Sequence, residues 1–279
     1  MQANVSNSIT LHAPPSVWFQ IILGLSSQSR QQVLREDHPG IVVAEPTAGA
    51  VGKLGVNRMF FWSSLALHLP QAVPPRPVFP HIILGSSSQS RQQVLREIGV
   101  PFEIMKPGID EEAIRSADPN ELVSLLSRAK ADALLAKLKA DGRTFPETAD
   151  VPTLLITADQ VVVHEGRILE KPLSEAEARE FIRGYSCAPA RTVGAVLVTN
   201  LNSGKQAAAV DVAEVYFRAI PDSVIDQLVA EGDIFYCAGG LMVEHPLVAP
   251  LVEKMVGGID AVMGLSKETT VALIAQVTS

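Results

Sequence analysis

The segment Gly85-Ser86-Ser87-Ser88-Gln89-Ser90-Arg91 stands where a short apolar run, His81-Ile82-Ile83-Leu84, passes into a polar stretch with helical spacing. Free backbone N–H groups at such a junction, the positive end of the helix, several hydroxyls and one guanidinium together make an anion site suited to phosphate. The same residues would also serve as a serine-rich helix cap with a surface arginine. The turn is not a Walker loop, because the Gly-Lys-Ser/Thr signature is missing.

Asp159 is a second candidate, at the end of the apolar strand Leu-Leu-Ile-Thr-Ala and followed by Gln160 and three valines. A carboxylate at the carboxyl end of a buried strand is placed for a cleft, where it can bind a metal or take a proton from water. It can equally cap a turn. Asp110, Glu111 and Glu112 follow Pro107-Gly108 and could supply oxygen ligands to Mg²⁺ or open a helix, the latter more naturally for Glu112. Lys130 lies at the edge of a stripe made by Leu122, Leu125, Leu126, Ala129 and Ala133, so its ammonium can reach a cleft or merely cover core. Lys171 before Pro172, and the triplet Glu244-His245-Pro246, are weak signals taken singly.

These residues must be positioned by the elements between them. A buried strand over 81–84 and a helix over 89–98 ending at Gly99 frame the serine turn. Asp118-Pro119-Asn120-Glu121 supplies an N-cap, an N1 proline and an N3 glutamate for a long helix to Ala140. Strands are expected over 154–158, 161–163 and 168–169, the last two flanking a turn at Glu165-Gly166. Ser174 with Glu177 forms a capping box for a helix closed by Gly184. Strands over 193–199 and 210–219 join in a hairpin around Asn202-Ser203-Gly204, and helices over 221–230 and 266–277 follow. Strands and helices alternate while several connections are hairpins, so the sheet should be mixed.

Residues 21–36 read IILGLSSQSRQQVLRE and residues 82–97 read IILGSSSQSRQQVLRE, differing only at Leu25 against Ser86. One short segment recurring once is a local duplication, since a repeat architecture needs several units that bury each other's faces. A proline cluster at Pro70, Pro74, Pro75, Pro77 and Pro80 follows the first copy. Residues 1–80 are therefore expected to be a poorly ordered or loosely docked extension, and residues 81–279 the catalytic domain.

A formal net charge of -7 argues against a broad nucleic-acid-binding face, which needs clustered Lys and Arg, but leaves room for a small anionic ligand. Two cysteines, Cys187 and Cys237, make neither a disulfide framework nor a four-cysteine zinc site, so they read as core or near-core thiols in a reducing compartment. No run of about 18 apolar residues and no secretory signal is found, which makes a cytoplasmic protein without membrane association the expectation.

Taken in order, ILGSSSQSR, IDEE, the lysine in SRAKADAL, ITADQVVV, EKP, CAGGLMVEHPL and VGGIDAVMGL resemble the successive motifs of the Maf family, plant-type members most closely. The resemblance runs from about Ile82 to about Val277. It implies a two-lobed, mixed-sheet α/β fold related to the inosine triphosphatases and a divalent metal, Mg²⁺ or Mn²⁺. It also implies house-cleaning hydrolysis of a nucleoside triphosphate to monophosphate and pyrophosphate, carried out by a chain that is often a homodimer. By position, Ser86, Ser88 and Arg91 would hold phosphates, with Lys130 and Lys171 offsetting their charge. Glu111 and Asp159 would form the metal and catalytic centre, with Asp159 as general base.

Base selection in the family corresponds here to Ser90, Gln160 and Glu244. Gln160 and Glu244 resemble the 7-methyl-GTP branch, whereas threonine and glutamine there would indicate a dTTP/UTP enzyme; Ser90 matches neither. A carboxylate accepts from guanine N1–H and the exocyclic amine, and an amide suits the mixed edge of uracil or thymine. Gln92 for an arginine, Glu170 for a glycine, Gln89 for a proline and Val193 for a threonine are departures from the pattern. A nucleotide-binding regulator without turnover and a broad-range phosphatase are the rival readings. Retention of Asp159, Glu111 and both lysines speaks against the first.

Overall fold

The apolar run at His81–Leu84 forms strand β1, and Ile82, Ile83 and Leu84 are all buried because both faces of the strand are covered. This computed structural model describes residues 79–279; the extension expected over 1–80, with its first copy of the serine segment, lies outside the described residues but for its last two positions. Helix α1 (Gln89–Ile98) follows, capped by Ser88 and closed by Gly99 in the left-handed region at φ 83. After β2 (Phe102–Ile104), a 3-10 turn at Glu111–Ala113 leads into α2 (Pro119–Ala140), with Asp118 as N-cap and Pro119 in the first turn. Next come β3 (Thr153–His164), β4 (Arg167–Leu169), α3 (Glu175–Gly184), β5 (Ala190–Asn200) and β6 (Gln206–Phe217). Helix α4 (Asp222–Glu231), β7 (Val252–Val256), α5 (Ile259–Val262) and α6 (Lys267–Thr278) complete the described chain.

The seven strands form one sheet in the order β2-β1-β3-β5-β6-β7, with β4 paired to β3. β1 runs parallel to both β2 and β3, and the remaining pairs are antiparallel, which is the mixed sheet expected. Side chains along β3 alternate in their burial partners, as a period of two requires. Leu154, Ile156 and Ala158 share a core with Val94, Leu95, Leu273 and Ile274, against α1 and α6. Leu155 faces the other way, into Leu134 and Leu138 of α2. Farther along the strand, Val162 joins a separate core built with Phe181, Ile182, Tyr185, Ile225 and Leu228 from α3 and α4. Two lobes thus share the same long strands.

Several boundaries differ from the sequence reading. The strands expected at 154–158 and 161–163 are one continuous strand, so Asp159 lies in the middle of β3 and does not end a strand. Leu125 is 41% exposed; the buried face of α2 instead includes Val123, Ser127, Lys130 and Ala131. Two polar residues inside the face, Ser127 and Lys130, shift the apparent stripe. Helix α3 ends on Gly184, but the capping Tyr185 is right-handed, at φ -64. Gly184 is required for another reason: a Cβ there would lie 2.7 Å from His164 Nε2. Cys187 is exposed and only Cys237 is half-buried. The short strands β2 and β7 had too few residues, or too little alternation, to be read as a period.

Candidate active site

The edge of β3 that faces away from β5 is shared by two partners. β1 pairs with it at Thr153, Leu154, Leu155 and Ile156, and β4 pairs with it at Val162, Val163 and His164. Between them, residues 157–161 have no strand on this edge among the described residues. This notch is where β1 delivers its carboxyl end, the side of a parallel strand pair at which ligands bind in open α/β sheets. Gly85 makes the exit possible: its N–H donates to Ile156 O at 2.8 Å, and a Cβ would come within 2.5 Å of Leu134 and 2.7 Å of Thr157.

Asp159 stands at the middle of the notch, on the face of β3 that packs against α2. Lys130, three helical turns into α2, donates to Asp159 Oδ1 at 2.5 Å and lies 3.1 Å from Glu111 Oε1. Lys130 and Asp159 are both buried, whereas Glu111 is half-exposed. The 3-10 turn is held by Asp110, whose carboxylate accepts from the Glu112 N–H at 3.1 Å. That turn directs Glu111 toward the lysine, while Glu112 is exposed.

On the opposite face of the sheet, Ser86 Oγ accepts from the Ser88 N–H at 3.2 Å and from Arg91 Nη1 at 3.3 Å, and Ser88 Oγ accepts from the Arg91 N–H at 3.4 Å. The serines therefore build the turn and still carry hydroxyl protons to donate. Arg91 Nε donates to Gly264 O at 3.0 Å. Burial pushes the Arg91 guanidinium below its ordinary pKa, and Asp159 and Glu111 pull it back up, so the three charges share one electrostatic neighbourhood. Arg91 is half-buried.

Of the residues expected to read the base, Ser90 and Glu244 are in contact, and Gln160 is held separately. Ser90 Oγ donates to Glu244 Oε1 at 3.3 Å, and Gln160 Nε2 donates to Ala261 O at 2.8 Å. A Cβ on Gly264 would meet Arg91 Nε at 3.2 Å and Gln160 Oε1 at 3.3 Å, so Gly264 sits between the guanidinium and the amide. Lys171 arrives from the other lobe. The β4 register sets Leu169 opposite Val162, and the chain then runs on past Glu170 to an exposed Lys171 beside the notch. Among the described residues Lys171 donates no hydrogen bond, and its charge acts on the thiol of Cys237. Burial first, then Glu244 and Asp233, push that thiol up to about 11 against the opposing pull of Lys171.

The departures from the family pattern have local explanations. Gln92 is buried, donates to Ser87 O at 3.2 Å and accepts from Arg96 at 3.1 Å, so it braces the serine turn. Gln89 is the first residue of α1, a position that suits proline but does not need it. Val193 is fully buried against Leu122, Leu126 and Val161. Glu170 pairs with Arg115 at 3.1 Å, which answers its charge beside Lys171. Sequence reasoning named neither Arg115 nor the carbonyls of Ala261 and Gly264. A backbone oxygen carries no side-chain signature, although the motif containing both glycine and alanine was noted.

The donor set also limits which metal could be held. Two carboxylates from different elements, Glu111 and Asp159, both reach the Lys130 ammonium. Among the described residues there is no group of three or more His, Cys, Asp or Glu side chains placed to hold an ion. Two carboxylates completed by phosphate oxygens and water suit Mg²⁺ or Mn²⁺, whereas a closed structural zinc site would need four protein ligands. Among the described residues no helix is long and apolar enough to cross a membrane.

Comparison with known proteins identifies the family. The Maf-like protein family matches residues 81–277. A 7-methyl-GTP pyrophosphatase of Dictyostelium discoideum is 43% identical over 196 residues, covering 70% of this chain and 96% of the relative. A dTTP/UTP pyrophosphatase of Ralstonia nicotianae is 32% identical over 213 residues, covering 74% and 97%. A nucleoside triphosphate pyrophosphatase of Salinispora tropica is 32% identical over 198 residues, covering 70% and 83%. On this family match, this coverage and the motifs gathered around the notch, the chain belongs to the Maf-like protein family.

Proposed function

We propose that the chain is a nucleoside triphosphate pyrophosphatase, yielding a nucleoside monophosphate and pyrophosphate, with 7-methyl-GTP as its preferred substrate. The observation that carries the reading is the meeting of Lys130, Asp159 and Glu111 in the β3 notch, with Arg91 in the same electrostatic neighbourhood. The relatives' names support it, as does their coverage at nearly full length.

In this reading Ser86, Ser88 and the first turn of α1 receive the triphosphate, and Arg91, Lys130 and Lys171 offset its charge. Lys130 bonds to Asp159 Oδ1, which leaves Oδ2 to orient a water and take its proton as the water attacks the α-phosphorus. The bond from that phosphorus to the bridging oxygen breaks, and pyrophosphate departs with its charge answered by the cationic side chains. Glu111 and Asp159 would hold a divalent cation, which when bound spreads negative charge on the phosphate oxygens. Glu244 offers acceptors to guanine N1–H and the exocyclic amine, and its charge favours the positively charged 7-methylguanine ring. Ser90 steadies Glu244, and the Ala261 carbonyl orients the Gln160 amide.

The test is pyrophosphate release from a panel of ordinary and 7-methylated triphosphates with Mg²⁺ and Mn²⁺. Preferred turnover of 7-methyl-GTP is expected. Preference for UTP or dTTP would move the base assignment, and release of single phosphate would overturn the reaction. The same reading carries the expectation of a cytoplasmic homodimer, checked by cell fractionation and light scattering.

A further inference from the structure

We infer that Tyr185 is a positioning residue for the nucleotide, setting the separation between Lys171 and Glu244 through the Gly239 peptide; the inference rests on the function proposed above. Tyr185 is 2% exposed, its ring edge-on to His164 at 5.3 Å and stacked with Phe217 at 6.1 Å. A phenylalanine would make both of those contacts, so packing does not account for the hydroxyl. That hydroxyl donates to Gly239 O at 2.7 Å. Burial holds the phenol above its ordinary pKa, and it stays a donor across the working range.

Gly239 is fixed from its other side as well, since its N–H donates to Glu170 O at 2.8 Å. Glu170 is the residue before Lys171, so one glycine ties the turn beyond Cys237 to the strand exit that delivers the lysine. Gly239 and Gly240 both lie in the left-handed region, at φ 61 and 60, and a Cβ on Gly239 would run into Tyr185 Oη and Val162. From there the Leu241 N–H donates to Ala238 O and the His245 N–H to Met242 O, two short turns that lead to Glu244. Lys171 and Glu244 already act on one thiol, that of Cys237. One buried hydroxyl thus anchors the peptide that is bonded to the residue before Lys171 and that opens the two turns leading to Glu244.

The experiment compares wild type with Tyr185→Phe in the full chain, measuring kcat and KM for 7-methyl-GTP and UTP by pyrophosphate release. Hydrogen–deuterium exchange of the 237–244 segment is followed in parallel. Loss of one neutral hydrogen bond corresponds to about fivefold, so KM for 7-methyl-GTP should rise about fivefold with kcat within about twofold. Its advantage over UTP should shrink by about as much, and exchange in 237–244 should quicken. 3-Fluorotyrosine at position 185, which keeps ring and hydroxyl, should restore wild-type values. Unchanged KM and selectivity overturn the inference, and so does an equal loss on every substrate with lowered Tm, the mark of packing alone. A wild-type chain that releases pyrophosphate from no nucleotide is a separate result that sinks the functional reading together with the inference.

Discussion

Lys130 and Asp159, 29 residues apart on α2 and β3, meet at 2.5 Å in a buried position, with Glu111 3.1 Å from the same ammonium. The pair exists because residue 159 falls on the α2 face of β3 and residue 130 on the buried face of α2. Breaking a buried pair leaves an uncompensated charge, which typically costs about 3–5 kcal/mol, whereas removing both charges costs far less. Lys130→Met should therefore lower Tm sharply, and Lys130→Met combined with Asp159→Asn should recover part of that loss without recovering turnover. A thermal-melt double-mutant cycle checks this; additive losses would refute the coupling.

Asp159→Asn alone keeps the side-chain volume and removes the base. Turnover should fall by roughly two or more powers of ten while nucleotide affinity changes little. Steady-state kinetics alongside calorimetric binding tests it, and undiminished kcat would remove Asp159 from the chemistry.

Asp211 gives a pH-dependent prediction away from the site. Its Oδ1 accepts from Thr269 Oγ1 at 2.7 Å, and its Oδ2 is buried without a partner. Burial first, and then Asp260, raise its pKa, against the pull of Thr269. A carboxyl whose folded pKa exceeds its unfolded value contributes stability below the unfolded value, and that contribution is lost as pH climbs through the folded one. Asp211→Asn should accordingly match wild type in acid and melt higher than wild type near neutrality. Melting curves between about pH 3 and pH 8 decide it, and a difference that shrinks with rising pH would contradict the burial argument.

The Cys237 thiol reports on the two lobes without any need for turnover. Its raised pKa predicts slow alkylation beside the exposed Cys187. Lys171→Ala removes the opposing cation and should slow Cys237 further, whereas Glu244→Gln should speed it. Mass-spectrometric alkylation rates at fixed pH measure both, and insensitivity to either change would place Lys171 and Glu244 far from this sulfur.

The family match begins at residue 81, and every side chain assigned to the site follows it. A chain beginning at Phe79 should fold and retain wild-type kcat. A folded but inactive product would assign residues 1–78 a part in the site.

Capping chemistry and apolar runs made much of the fold readable in advance. Ser88, Asp118 and Ser174 are the caps of their helices, and the bounds of β1, α1 and α2 agree with the sequence reading. Caps are local hydrogen bonds between neighbours in the chain, so the sequence contains both partners. Less was readable where an element was short or crossed a polar residue. Asp159 and Gln160 looked like a break between two strands, but β3 runs through them because β5 pairs with its whole length from Leu154 to Val163. A neighbouring strand supplied what the local pattern withheld.

By itself the sequence determined which residue types were available for phosphate and proton chemistry, which stretches had to be helix or strand, and the family to which their order belongs. Only the tertiary structure decided that β1 and β4 stop short of each other along β3 and leave a notch there. It also decided that α2 turns Lys130 onto Asp159, and that the carbonyls of Gly264 and Ala261 hold Arg91 and Gln160. The physical reason is range. Helix caps and burial periods act over a few residues, whereas polar groups separated by 29 positions in one case, and by 173 between Arg91 and Gly264 in another, are brought together only when packed faces dictate which side of each element points inward.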